Sequence, residues 1–299
     1  MMKFIINIIK GMLIGVANII PGVSGGTMAV ITGAYDKIIF AINNITKEFK
    51  KSVLTLLPIL IGAVGGIGVF SFILPHCLSH YSLQTSLCFI GLIVGGIPFI
   101  YTSTMNSLKK EQKKINPLHI IVFLLMVGVA VFMALANPDS TNADSLKANP
   151  QTMLIIFVLG AVCAAAMVIP GVSGSLLLMM FGYYSGIIGT ISQFLTALKD
   201  LDGKGLLHCI LILVPFAIGC ILGIVLISKL LSFLYKRFES YTYFGIFGLV
   251  AASPFAILCK MENPVYKPTT IIVGVILFLV GALFTYFFEK FTSKAGEGK

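Results

Sequence analysis

The sequence predicts an all-α, polytopic membrane protein made of two inverted-topology repeats. The first observation is composition: of 299 residues, 58% are hydrophobic and only 11% are charged. Soluble globular chains carry about 25% charged residues, so this composition excludes a cytosolic enzyme, a nucleic-acid-binding protein and a disordered protein. The other two observations are the uneven distribution of lysines along the chain and a hexapeptide that occurs twice.

Apolar blocks long enough for a membrane divide the chain into segments, because a spanning helix needs about 20 apolar residues. The blocks cover roughly residues 4–42, 53–75, 85–105, 117–136, 151–195, 206–228, 241–259 and 269–289. The first and the fifth are too long for one straight helix, and a Pro-Gly pair interrupts each of them. We therefore expect these two blocks to be re-entrant helical hairpins and the other six to be single spans.

The basic residues predict the orientation of the chain. Fifteen of the 21 Lys and Arg residues lie in the two termini and in the gaps near 47–51, 106–116 and 229–240, whereas five lie in the other gaps. Since cytoplasmic loops are enriched in Lys and Arg, we expect both termini in the cytoplasm. The spans alternate correctly only if both hairpins return to the side from which they enter. The net charge of +10 then reflects topology, and we expect no nucleic-acid partner.

An internal duplication is indicated by the hexapeptide Ile-Pro-Gly-Val-Ser-Gly, which occurs at residues 20–25 and again at residues 169–174. The same offset aligns Gly33 with Gly182 and Tyr35 with Tyr184. We predict one repeat over 1–140 and a second over 141–299, each with a hairpin and about three spans. An odd number of crossings inverts the second repeat, and inverted repeats with broken helices are typical of secondary transporters.

Each hexapeptide predicts a break that binds an anion. A proline ends the helix, the glycines permit close approach, and freed amides together with hydroxyl groups suit a phosphate. The candidate binding residues of the first motif are Asn18, Pro21, Gly22, Ser24, Gly25, Gly26 and Thr27. Those of the second motif are Pro170, Gly171, Ser173, Gly174 and Ser175. The alternative is that the breaks serve only close helix packing.

Asp36 and Lys37 follow the first motif, and an ionisable pair within a membrane segment is a functional candidate by default. The alternative is that both side chains reach the membrane surface from the end of the hairpin. The six cysteines lack metal-ligand spacing and are interpreted as reduced packing residues. We therefore expect no metal site and no cofactor.

The segments PGVSGGT, TGAYDKII and, in the other half, PGVSGS resemble the bacterial polyprenyl-phosphate transporter family of the PopT type, formerly a domain of unknown function. The resemblance covers nearly the whole chain. It implies a carrier in the bacterial cytoplasmic membrane that returns undecaprenyl phosphate to the inner leaflet for peptidoglycan and other envelope synthesis. It also implies that the two motifs bind the phosphate, together with Asn18, Thr27, Tyr35, Asp36 and Lys37.

Two other functions stay open at this point. Membrane-embedded undecaprenyl pyrophosphate phosphatases also have a Pro-Gly-x-Ser segment, but there an arginine follows the serine and membrane glutamates act as acid and base. Here Gly25 and Gly174 follow Ser24 and Ser173, and we expect no glutamate within a span. Since phosphate cleavage needs such groups, we expect no enzymatic activity. A small-anion transporter is the second alternative; the coupling ion, the direction of transport and the oligomeric state are left open.

Overall fold

In the computed structural model, the described residues are 2–19, 24–136, 146, 148–261, 264 and 266–297. Within these ranges the chain forms helices and no strand. The helices are α1 Met2–Ile19, α2 Gly25–Ile31, α3 Tyr35–Asn43, α4 Phe49–His80, α5 Ser82–Lys110, α6 Pro117–Leu135, α7 Pro150–Val168, α8 Gly174–Met180, α9 Tyr184–Lys199, α10 Gly203–Arg237, α11 Glu239–Cys259 and α12 Pro268–Glu297. In this part of the chain seven helices are long and apolar enough to cross a membrane, which confirms an all-helical, multi-pass membrane protein.

The six predicted single spans coincide with α4, α5, α6, α10, α11 and α12. The seventh spanning helix is α7, the first arm of the second predicted hairpin. Each predicted hairpin block contains three helices instead of two, because a short helix follows the Pro-Gly motif and then turns again. In the second block α8 and α9 meet at 108°.

One compact unit comprises Met1–Leu135, Pro170–Val172 and Lys229–Lys299. In it α5 packs against α12, α1 against α4, and α6 against α11. Glycines allow these contacts: a Cβ atom on Gly91 or Gly95 would lie 2.1 or 2.2 Å from a carbonyl oxygen of α12. Small residues permit such close backbone approach, which favours helix association in lipid.

The second compact unit comprises Ala136–Ile169 and Ser173–Ser228. Its helices α7 and α10 pack in the same manner, since a Cβ atom on Gly219 or Gly223 would lie 2.0 Å from a carbonyl oxygen of α7. Ile156, Ile187 and Ile212 form a buried cluster that joins α7, α9 and α10. This unit therefore has an apolar core of its own.

The two short helices after the motifs end in the same way. Gly33 follows α2 with φ +58° and Gly182 follows α8 with φ +76°, a left-handed conformation that glycine adopts without steric cost. The next amides complete the turn: Ala34 donates to the carbonyl of Ala29, and Tyr183 donates to that of Leu178, at 2.8 and 2.9 Å. This is the hydrogen-bond pattern of a Schellman motif, and it occurs at positions that the sequence offset aligns.

The outer faces of the long helices are apolar. Leu54, Leu60 and Val64 of α4 are exposed, as are Ile272 and Leu279 of α12. Monomeric soluble proteins rarely expose apolar surfaces of this extent. These faces are therefore suited to contact with lipid tails.

Candidate functional site

The first motif separates α1 from α2. Ile20, Pro21, Gly22 and Val23 lie outside the described residues, so the predicted roles of Pro21 and Gly22 stay predictions. Ser24 occupies the position before α2, but its side chain caps no amide. Its hydroxyl is buried and has no hydrogen-bond partner among the described residues.

Asn18, and not Ser24, accepts a hydrogen bond from the first amide of α2. Its side-chain oxygen accepts a hydrogen bond from the amide of Gly25 at 3.3 Å. A Cβ atom on Gly25 would lie 2.4 Å from the Asn18 side-chain nitrogen, so this close approach requires a glycine. The predicted residues Asn18 and Gly25 are thus joined by a hydrogen bond next to Ser24. The Ser24 hydroxyl, without a partner among the described residues, is available to hydrogen-bond a ligand.

Thr27 connects the two motifs within the first compact unit. The amide of Gly171 donates to the Thr27 hydroxyl oxygen at 2.7 Å, and the Ser253 hydroxyl lies 3.4 Å from the same atom. Thr27 is fully buried, and its neighbour Gly26 and the second-motif Pro170 are also buried. A residue of the second motif therefore hydrogen-bonds to a residue of the first.

Gly171 is held in a conformation that other residues rarely adopt. Its φ is +77°, and a Cβ atom there would lie 3.0 Å from the carbonyl oxygen of Leu249 in α11. The glycine thus lets the loop approach α11 closely enough to present its amide to Thr27. A substitution at Gly171 combines backbone strain with a steric clash.

The remaining residues of the second motif lie in the second compact unit. Ser173 caps α8, because its hydroxyl accepts a hydrogen bond from the Leu176 amide at 3.4 Å. The Ser175 hydroxyl lies 3.0 Å from that of Ser173. A Cβ atom on Gly174 would lie 2.5 Å from the carbonyl oxygen of Cys163. The two motifs therefore differ locally: Ser173 serves its helix, whereas Ser24 leaves this role to Asn18.

Tyr35, Asp36 and Lys37 open α3. Tyr35 is buried and its hydroxyl has no hydrogen-bond partner among the described residues, whereas Asp36 and Lys37 are exposed. The Tyr243 hydroxyl donates a hydrogen bond to the Asp36 carboxylate at 3.1 Å. Asp36 is thus tied to α11, and among the described residues Lys37 has no such contact.

A buried ion pair corrects one prediction. Glu289, at the edge of the last predicted span, lies within the spanning part of α12 and is buried, although we expected no glutamate in a span. Its carboxylate lies 3.8 Å from the Lys10 ammonium group, which also donates to the carbonyl of Thr32. Lys10 is buried as well, although it is one of the fifteen basic residues from which the topology is inferred. Burial of a charge costs free energy unless it is paired, which explains why these two residues meet.

A polar cluster lies outside the spans, after α5. The Glu111 carboxylate accepts hydrogen bonds from the Ser240 hydroxyl at 2.7 Å and the Ser240 amide at 3.3 Å, and it lies 2.9 Å from the Lys113 ammonium group. Partial burial raises the pKa of Glu111, but the hydrogen bonds from Lys113 and Ser240 outweigh it and lower the pKa to about 2. This cluster anchors the loop between α5 and α6 to the start of α11.

Sequence reasoning did not find Ser253, Tyr243 or Glu289. Each lies in an apolar helix with no motif around it. The only sequence signal for each of them is a polar side chain within a predicted span. Ser253 also donates to the carbonyl of Leu249 in its own helix, which is a common bond for a membrane serine. The sequence offered a signal for Glu289, because an acidic residue in a spanning segment is a functional candidate by default.

Comparison with known proteins identifies relatives over most of the chain. Residues 14–271 match the family described as undecaprenyl phosphate translocase-like. A polyprenyl-phosphate transporter of Staphylococcus aureus is 27% identical over 97% of both chains. A polyprenyl-phosphate transporter of Vibrio cholerae is 28% identical over 83% of this chain and 76% of its own length. No solved structure shows a significant match.

Proposed function

The chain belongs to the undecaprenyl phosphate translocase-like family, and from that premise we propose that it carries polyprenyl phosphate across the bacterial cytoplasmic membrane. In this role it recycles the lipid carrier of cell-envelope synthesis. The observation that carries the proposal is the hydrogen bond from the Gly171 amide to the Thr27 hydroxyl, which links the two Pro-Gly motifs. We further propose that the protein moves its substrate without breaking a bond in it, and therefore acts as a carrier and not as an enzyme.

The phosphate head group binds at the first motif in this proposal. A phosphate presents only acceptor oxygens, so its site must supply donors. The buried Ser24 hydroxyl is a donor without another partner among the described residues. The Thr27 oxygen accepts the Gly171 amide, and its hydroxyl hydrogen faces the Ser253 oxygen at 3.4 Å, because Ser253 donates its own hydrogen to Leu249. Thr27 can donate to a phosphate oxygen by giving up this long contact. Neutral donors of this kind bind a phosphate and still release it on the other side.

The polyprenyl chain remains in lipid while the head group crosses. The exposed apolar faces of α4 and α12 support this division, because they provide a surface for hydrocarbon along the path. Burial of the whole lipid in protein is then unnecessary, and the only part that needs a polar route is the phosphate. A broken helix is tolerated at membrane depth where it lines such a route.

We propose that the architecture consists of two inverted repeats, 1–140 and 141–299, each opening with a re-entrant hairpin. The matched turns at Gly33 and Gly182 support a duplication. So do Gly62 of α4 and Gly219 of α10, since a Cβ atom on either would lie 2.0 Å from a carbonyl oxygen, of α1 and of α7 respectively. Both termini are cytoplasmic in this proposal. Labelling of single cysteines placed in the loops 106–116 and 137–150 tests it, since the first should react only from inside and the second only from outside.

The function is tested with purified protein in proteoliposomes, by following transfer of polyprenyl phosphate between leaflets and, in parallel, release of inorganic phosphate from the pyrophosphate form. Wild type should transfer the lipid and release no phosphate. Ser24→Ala removes one hydroxyl with little change in volume and should lower the transfer rate about tenfold, the loss expected for a hydrogen bond to a charged group. Thr104→Ala is the control, because the Thr104 hydroxyl bonds, among the described residues, only within its own helix. Phosphate release without lipid transfer would show an enzyme instead.

A bulky substitution within the second motif, such as Gly174→Leu, would not be a suitable test of phosphate binding. A Cβ atom there would already lie 2.5 Å from a backbone oxygen of α7, so a larger side chain would separate α7 from α8 whatever the role of the motif. Hydroxyl deletions avoid this difficulty. They change hydrogen bonding and leave the backbone packing intact.

A further inference from the structure

A small cavity of about 70 Å³ lies beside the turn between α2 and α3. Its walls come from that turn, from α5, from the end of α10 and from α11, and all of them belong to the first compact unit. The polar side chains that line it are Tyr35, Asp36, Ser103, Tyr235 and Tyr243. A volume of this size admits an ion with one or two waters, since a water occupies about 30 Å³ in the liquid.

The cavity contains one carboxylate and several hydroxyls. Tyr243 donates to the Asp36 carboxylate at 3.1 Å, and Tyr235 lines the same cavity. Tyr35 is 4% exposed, and its hydroxyl has no partner in the described part of the chain. A buried hydroxyl without a partner costs free energy, so a ligand or water that Tyr35 contacts would remove this cost.

The charges around the cavity favour a cation. The described residues that line it include an acid and no lysine, arginine or histidine. A phosphate would therefore lie against Asp36 with like charge, whereas carboxylate and hydroxyl oxygens are the ligands that hard cations prefer. The neighbouring acid Glu239 is already paired, because its carboxylate lies 2.8 Å from the Lys110 ammonium group. Lys37 follows Asp36 in the chain and is exposed.

The position of the cavity relates it to the transport path. Gly33, which ends α2 in a left-handed conformation, is one of its lining residues, and α2 carries Thr27. Transporters coordinate sodium ions or protons beside broken helices of this kind. A cation in the cavity would bridge α3 to α10 and α11 through Asp36 and the two tyrosines.

We propose that this cavity binds a small monovalent cation, sodium or a proton, at Asp36, and that this cation is coupled to the carrier cycle. The coupling of this cation to the carrier cycle rests on the proposed transport function, whereas the binding of the cation to the cavity does not depend on it. It reassigns Tyr35 and Asp36, which the sequence analysis placed with the phosphate, to the coupling cation. Neutralisation of Asp36 weakens the hydrogen bond that joins α3 to α11, and so alters the link between these two helices.

Tyrosine fluorescence provides the readout, because the chain contains ten tyrosines and no tryptophan. The full-length protein in nanodiscs without polyprenyl phosphate is titrated with sodium chloride, with N-methylglucamine chloride keeping the ionic strength constant. A second titration covers about pH 5 to about pH 8, where ordinary tyrosines stay protonated. The first arm reports sodium binding and the second reports proton binding.

Two variants and their matched controls identify the site. Asp36→Asn removes the charge and should raise the half-saturating sodium concentration at least about tenfold, or abolish the pH-dependent change if the ligand is a proton. Tyr35→Phe removes one neutral ligand and should weaken sodium binding about three- to tenfold. The controls are Asp200→Asn and Tyr266→Phe, since both residues are exposed and lie away from the cavity in the sequence.

Each result decides the question. A sodium response that Asp36→Asn loses and Asp200→Asn keeps supports a sodium site, and a pH response with the same pattern supports a proton site. Equal responses of wild type and Asp36→Asn in both titrations would overturn the proposal. A change in tyrosine fluorescence on titration with inorganic phosphate that wild type shows and Asp36→Asn loses would also overturn it. If the cation binds as expected but proteoliposomes move no polyprenyl phosphate, then the proposed transport function fails and the cation site stands.

Discussion

The hydrogen bond between the two motifs leads to a prediction about Thr27→Val. Valine has nearly the volume of threonine, so the substitution removes the hydroxyl without leaving a cavity in a fully buried position. The Gly171 amide then loses the acceptor that lies 2.7 Å away. A donor left unsatisfied in this way costs about 1–3 kcal/mol.

The Ser253 hydroxyl adds little to this cost, because it keeps its bond to the carbonyl of Leu249 at 3.1 Å. We therefore expect Thr27→Val to lower stability by about 2 kcal/mol. For a chain of 299 residues that corresponds to a decrease in Tm of roughly 3 °C. The rate of lipid transfer should also be lower than that of wild type at a temperature where the variant is folded, because the loop that contains Gly171 is no longer held.

The assay is thermal unfolding followed by tyrosine fluorescence, together with the leaflet-transfer assay. Thr104→Val is the matched control, since Thr104 is also fully buried and its hydroxyl, in the described part of the chain, bonds only to the carbonyl of Ile100 in its own helix. Thr27→Ser keeps the hydroxyl and should retain most of the transfer activity. If Thr27→Val and Thr104→Val have the same Tm and the same transfer rate, the bond between the motifs has no role in stability or transport.

Three further predictions concern packing, the buried ion pair and pH. Gly62→Ala should lower the Tm strongly in thermal unfolding, because the new Cβ atom would lie 2.0 Å from a backbone oxygen of α1. The control is Gly65→Ala in the same helix, where a Cβ atom would meet none of the described neighbouring atoms within 4 Å, so the Tm should be unchanged or higher. Lys10→Met and Glu289→Gln should each cost about 3–5 kcal/mol as the loss of one partner of a buried pair, and the double variant should cost less than their sum. The folded-state pKa of Glu111 is about 2 and its ordinary value is 4.5, so its stabilising contribution is complete above about pH 4.5 and is lost as the pH falls towards 2. Glu111→Gln should therefore lower the Tm at neutral pH and show a smaller loss than wild type on acidification; equal acid sensitivity would contradict this.

Much of the fold follows from the sequence because its determinants are local. Apolar length located the six single spans, and the helices of the structure begin and end within a few residues of most of the predicted limits. The Pro-Gly motifs located the breaks, since proline and glycine act on the backbone at their own positions. The sequence did not predict the additional break at Gly33, although a glycine after a short apolar segment is a usual helix terminator.

The candidate site was predictable only in part. The sequence marked Thr27 and Gly171 as candidate phosphate-binding residues, and the structure joins them by a hydrogen bond, whereas their phosphate binding stays a prediction. The sequence also marked both Ser24 and Ser173 as candidate phosphate-binding residues, but it did not show that Ser173 caps its helix and Ser24 does not. The difference arises because Asn18 reaches the first amide of α2, and a side chain seven residues earlier in the chain is not visible in the motif itself.

The sequence by itself determined the class of protein, the number of long apolar segments and the repeated motif, because hydrophobicity and backbone preference belong to each residue and its neighbours. Only the tertiary structure decided which polar groups meet. Thr27 and Gly171 are 144 residues apart, and Asp36 and Tyr243 are 207 residues apart. Any hydroxyl in an apolar helix has the same capacity for hydrogen bonding, so the partner is selected by the packing of the helices that carry it.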